Sequence, residues 1–86
     1  MPEITIYTTP HCFYCHAAKA LFSRRGMAVH EVDVSRNPAE RQRMMVRALG
    51  RRTVPQVFIN GEHVGGSKEI FDLDRSGRLD SLLAEL

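Results

Sequence analysis

The chain has no tryptophan and only two cysteines in 86 residues. Two cysteines cannot build the several bridges that staple a small secreted scaffold. No apolar run approaches the ~20 residues of a membrane-spanning helix. Met1-Pro2-Glu3 carries no positive charge, and Ile4-Thr5-Ile6-Tyr7 is too short for the apolar stretch of a signal peptide. The expected location is therefore cytoplasmic, without membrane contact. Linkers, repeats and low-complexity tracts are also missing, so residues 1–86 read as a single domain and a monomer. Net charge is only +2. Arg36, Arg41, Arg43, Arg47, Arg51 and Arg52 cluster in the middle of the chain, but no aromatic residues interleave them. Nucleic acid is not an expected partner; a solvated helical face or an acidic protein partner suits them better.

The 43% apolar content suffices for one core. Glu3 to Thr8 is β-rich and reads as a first strand. Cys12 to Arg25 places Ala17, Ala18, Leu21 and Phe22 at helical spacing, with Gly26 as the stop. Val29 to Val34 alternates as a second strand. Asn37 and Pro38 suit the cap and first position of a helix running to about Leu49-Gly50. Val57-Phe58-Ile59 is a third strand, Asn60-Gly61 a two-residue hairpin turn, and His63-Val64 a short fourth strand. Ser67 is expected to cap a third helix, and Leu79 to Leu86 to form a last turn or two. The order β-α-β-α-β-β-α predicts an α/β fold. Its four-stranded mixed sheet would join a parallel β-α-β unit to an antiparallel hairpin, with flanking helices.

Cys12-Phe13-Tyr14-Cys15 falls at the first strand-to-helix turn. A thiol is a poor nucleophile and its thiolate a good one. The unpaired N–H groups and positive dipole end of a helix N-terminus favour the anion. Cys15, three residues on, shares the helical face and can close a disulfide. A C-x-x-C in this order reads as a thioredoxin-like redox motif. The following His16 completes a haem-attachment pattern, but export machinery is needed for that and the strand-rich order does not suit it. Cys12, Cys15, His11 and His16 cannot converge on one tetrahedral zinc from a single turn, so no metal is expected.

The chain resembles a glutaredoxin of the small bacterial dithiol type over nearly its whole length. The resemblance rests on Ile6-Tyr7-Thr8, the C-x-x-C, Thr53-Val54-Pro55-Gln56, and Asn60-Gly61 followed by Gly65-Gly66-Ser67. It implies a thioredoxin-like fold with Cys12 as nucleophile and Cys15 as resolving thiol, the two forming the redox-active disulfide. It implies glutathione as co-substrate, glutathione reductase as indirect partner, and disulfide-containing or glutathionylated proteins as substrates. It places Tyr14 beside the thiol, a cis Pro55 with the Val54 backbone and Thr53 along the glutathione peptide, and Gly66 and Ser67 at its γ-glutamyl end.

Three positions depart from the family pattern. Phe13 replaces the usual proline, which predicts an altered reduction potential. Thr9 replaces a lysine that holds the glycine carboxylate, a task left to Gln42 or Arg41. Lys68 replaces an aspartate that meets the glutathione ammonium, with Glu69 next to it. Weaker glutathione binding is expected. Two alternatives share the fold: a glutathione-ligated [2Fe–2S] carrier, and a redoxin reduced by thioredoxin reductase.

Overall fold

The structure, a computed structural model, describes residues 2–84. Its elements run β1 (Ile4–Thr8), α1 (Phe13–Ser23), β2 (Val29–Asp33), α2 (Pro38–Arg47), β3 (Gln56–Ile59), β4 (Glu62–Gly65), α3 (Ser67–Arg75) and α4 (Arg78–Ala84). The sheet order is β2-β1-β3-β4. β1 lies parallel to β2 and antiparallel to β3, with Tyr7 opposite Gln56. β3 pairs antiparallel with β4, Phe58 facing His63, and a register shift falls between Val57 and Phe58. The mixed sheet is the one expected.

All five residues of β1 are buried, because a central strand covered on both faces has no solvated side. Strand side chains alternate between faces, and two cores follow. Ile4, Ile6, Val57 and Ile59 meet Ala18, Leu21 and Phe22 of α1, Ile70 of α3 and Leu79 of α4. Tyr7 and Phe58 face the other way, onto Met44 and Ala48 of α2 and onto Val34.

Helix boundaries follow local chemistry. The Asn37 side-chain oxygen accepts the Glu40 N–H at 3.1 Å, and Pro38 is the first helical residue of α2. α1 ends at Ser23, two residues before the expected Arg25. Its chain turns back through Gly26, at φ 69°, so that the Met27 N–H reaches the Phe22 carbonyl at 3.1 Å. Ser67 does not cap α3. Gly66 holds that place with extended backbone, and Ser67 is already helical. A carboxylate three residues on, Glu69, accepts the Gly66 N–H at 2.6 Å, which is the carboxylate half of a capping box; glycine has no side chain to supply the hydroxyl half. β3 starts one residue early, at Gln56, and β4 extends to Glu62 and Gly65 on either side of the expected pair. Of the expected last turn, residues 85–86 lie outside the described part.

Candidate active site

Strand β1 ends at Thr8, and four residues later Cys12 occupies the cap position of α1 in extended conformation. An N-cap side chain accepts from the first turn of its helix, usually through oxygen. Here the acceptor is sulfur: the Cys15 N–H donates to Cys12 Sγ at 3.2 Å. A helix N-terminus and an amide directed at the sulfur both stabilise negative charge there. Cys12 is partly exposed, Cys15 fully buried. Burial pushes the Cys15 thiol up to about 12, helped by its hydrogen bond to the Cys12 side chain. A backbone hydrogen bond with Thr9 and the charge of Lys19 act in the opposite sense.

Lys19 ties α1 to the neighbouring strand. Its ammonium pairs with Glu31 of β2 at 3.0 Å, and the same carboxylate oxygen accepts the Thr8 hydroxyl at 2.7 Å. These partners, the hydroxyl first, hold the Glu31 carboxyl below its ordinary range.

The second wall of the site is the segment Thr53–Pro55. The Val54–Pro55 peptide is cis, as the resemblance implied. The Val54 carbonyl oxygen lies 3.8 Å from Cys12 Sγ. Pro55 is buried, Val54 half-buried and Thr53 exposed. The third wall is the start of α3. A Cβ at Gly66 would stand 3.2 Å from the Pro55 carbonyl oxygen and 3.1 Å from Arg51 Nη2, closer than ordinary contact, so a side chain here would push the two walls apart by a few tenths of an ångström. Gly65, at φ 138°, would drive a Cβ to 2.6 Å from the Glu69 side chain.

The expected residues are therefore brought together unevenly. Cys12, Cys15, Val54, Pro55 and Gly66 form one continuous set, with Thr53 and Ser67 adjoining it. Tyr14 stands at the mouth, exposed, its ring edge-on to Phe13 at 5.5 Å between centroids. Phe13 is 77% exposed, a large apolar group next to Cys12 in the chain. Gln42 is exposed on α2. Its neighbour Arg41 donates to the Arg52 carbonyl at 2.8 Å, fastening α2 to the segment that leads into Thr53. The Lys68 ammonium pairs with Asp72 at 2.8 Å, one turn along α3.

A further pairing, not expected from the sequence, joins two walls of the site. Arg51 donates to Glu69 at 2.7 Å, joining the approach to Thr53 with the first turn of α3. The Arg51 guanidinium, followed by the Gly66 N–H, holds the Glu69 carboxyl below its ordinary range. The three-residue spacing from Gly66 to Glu69 is half of a capping-box signal, in competition with the hydroxyl that Ser67 offers as a cap.

Two thiols one helical turn apart, one reachable and one shielded, suit a relay of disulfide exchange. Together with a mixed sheet of this order they define a thiol–disulfide oxidoreductase of thioredoxin-like architecture. The glutaredoxin family model matches residues 4–64. Glutaredoxin 3 of Escherichia coli K12 is 46% identical over 83 residues, covering 96% of this chain and 99% of the relative. The solution structure of a Brucella melitensis glutaredoxin is 47% identical with a TM-score of 0.80, over 94% of this chain and 87% of that one. A buckwheat glutaredoxin–glutathione complex is 29% identical with a TM-score of 0.86, over 98% and 78%. The chain belongs to the glutaredoxin family. Among the described residues no helix is long and apolar enough to cross a membrane, and no group of three or more His, Cys, Asp or Glu is placed to hold a metal ion.

Proposed function

We propose that the protein is a glutathione-dependent oxidoreductase. It reduces glutathione mixed disulfides and protein disulfides through Cys12 and Cys15, as a monomer in the cytoplasm. The supporting observation is the Cys12 sulfur, which accepts the Cys15 N–H and lies beside the Val54 carbonyl at the mouth of the site.

The Cys12 thiolate attacks the glutathione sulfur of a mixed disulfide. The substrate's sulfur leaves as a thiolate and takes up a proton, and Cys12 is left glutathionylated. A second glutathione thiolate attacks that glutathione sulfur, releasing oxidised glutathione and restoring the Cys12 thiolate; glutathione reductase then regenerates glutathione. With a protein disulfide, Cys12 first forms a mixed disulfide with the substrate. Cys15 gives up its proton and attacks Cys12, closing the intramolecular disulfide and freeing the second substrate thiol. Burial raises the Cys15 thiol pKa, so Cys15 must lose a proton before it attacks, while glutathione approaches the glutathionylated intermediate from solvent.

Glutathione would lie along Thr53–Val54, with its γ-glutamyl end at Gly66, Ser67 and the backbone of Lys68. That end carries both an ammonium and a carboxylate. Lys68 faces Asp72, which leaves the Arg51–Glu69 pair to receive the two charges, guanidinium to carboxylate and carboxylate to ammonium. Gln42 would serve the glycine carboxylate in place of a lysine at Thr9.

The test is turnover of a glutathione mixed disulfide with glutathione and glutathione reductase, on anaerobically purified protein with its absorbance recorded. Fast turnover from a colourless monomer is expected, abolished in Cys12→Ser. Cys15→Ser should retain it and lose reduction of protein disulfides. A brown dimer with little turnover would replace this reading with the cluster carrier. A colourless protein served only by thioredoxin reductase would replace it with the other redoxin.

A further inference from the structure

Gln56 is completely buried, the first residue of β3 and the first after Pro55. A buried amide is costly unless its hydrogen bonds are made. Here they are. Its Nε2 donates to the Thr53 carbonyl at 3.0 Å and to the Thr53 hydroxyl oxygen at 3.2 Å. Its Oε1 faces His63 Nε2 of β4 at 2.7 Å. A carbonyl can only accept, so the contact to Thr53 fixes which end of the amide is the NH2 group. The opposite end is then an acceptor, and His63 must donate to it: Nε2 carries the proton. The His63 ring is seated against Phe58, with centroids 5.1 Å apart. A chain of directed hydrogen bonds thus runs from His63 through Gln56 to Thr53. Thr53 is joined by one peptide bond to the Val54 whose carbonyl lies 3.8 Å from Cys12 Sγ.

We propose that His63 and Gln56 are positioning residues of the thiol site: they hold the Thr53–Val54 backbone in the setting that receives the extended chain of the substrate. Neither touches the reacting sulfurs. The hydrophobic packing of β3 is served by Val57, Phe58 and Ile59, and an apolar side chain at position 56 would supply more of the same. What Gln56 adds is a bond back across the Val54–Pro55 peptide to exposed Thr53 itself, one residue beyond the Arg52 carbonyl that Arg41 of α2 holds. The expected effect is on substrate binding, equally in the ground and transition states, and so on KM.

The experiment compares wild type with His63→Leu, which removes the donor, His63→Gln, which restores one, and Gln56→Glu, which keeps the acceptor for His63 and cannot donate to Thr53. Steady-state turnover of a glutathione mixed disulfide is measured alongside the amide resonances of Thr53 and Val54 and the melting temperature. His63→Leu and Gln56→Glu are expected to raise KM about five-fold, the worth of one hydrogen bond, at nearly unchanged kcat. Both should displace the Thr53 and Val54 amides, and His63→Gln should return them toward wild type. Lower melting temperatures with KM and both amides at their wild-type values would overturn the proposal and leave a structural role alone. The substrate assay rests on the glutathione-dependent reading. If wild type itself does not turn that substrate over, that reading fails, and the amide displacement and its rescue by His63→Gln still decide this one.

Discussion

The two faces of the sheet are held by different chemistry. Against α1, α3 and α4, the buried cluster consists of Ile4, Ile6, Ala18, Leu21, Phe22, Val57, Ile59, Ile70 and Leu79, without a polar atom in any side chain. Against α2, the cluster is smaller and mixed. The Tyr7 and Phe58 rings meet edge-on at 5.5 Å, and the Arg47 guanidinium lies over Phe58 at 4.4 Å while donating to the Tyr7 hydroxyl at 2.8 Å. Gln56 and His63 lie on this same face, on the side of Phe58. Non-directional burial fills space without fixing an angle; hydrogen bonds and ring contacts fix orientation. The apolar face buries the larger cluster, and the directional face carries the hydrogen bonds that reach the segment next to Cys12.

Phe22→Ala should separate the two roles most sharply. Phe22 is wholly buried in the apolar cluster, and its truncation costs about 3–5 kcal/mol. Urea unfolding measures the loss. Turnover per folded molecule should stay at the wild-type value, because no hydrogen bond links this ring to Thr53 or Val54. A comparable fall in kcat would mean that the apolar face also sets the site.

Arg47→Met tests the other face and should cost less, about 1–2 kcal/mol, from the lost hydrogen bond to Tyr7 and the lost ring contact. The methionine keeps much of the alkyl packing, so the change reads mainly the directional part. Chemical unfolding of this variant beside Phe22→Ala gives the ranking directly. A loss as large as that of Phe22→Ala would erase the division between the faces.

The division was only partly legible in the sequence. Elements announced by a local signal were found at their places: the Asn37-Pro38 start of α2, the Asn60-Gly61 turn, and the C-x-x-C at the end of the first strand. What depended on register was not. Gln56 read as the tail of a Thr-Val-Pro-Gln motif and His63 as part of a short strand. Their meeting follows from the pairing of Phe58 with His63 across the hairpin, which no local pattern states. Arg47 read as one of a run of surface arginines, because its use depends on which rings the sheet turns toward α2. Gly66 took the cap from Ser67 because Glu69 reaches back to its N–H, a competition between two neighbouring capping signals that spacing alone left open.

The smallest effect concerns the tie between the faces. Arg51 leads out of the α2 side and Glu69 belongs to α3 on the other, and their ion pair spans the two. Both side chains are substantially exposed, 41% and 37%, so solvent screening keeps the pair below about 1 kcal/mol. The sign of its pH dependence follows from the lowered Glu69 pKa. The folded state favours the ionised carboxylate more than the unfolded chain does. The contribution is therefore fully present above the ordinary carboxylate value of about 4.3 and is lost as pH falls through the lower folded value. Glu69→Gln removes that dependence. The stability gap between wild type and variant should be constant from neutral pH down to about 5, then close on further acidification, as read by urea unfolding at a series of pH values. A gap with no pH dependence across the series would mean that the amide costs stability by other means than charge. The ion pair would then not be what joins the faces.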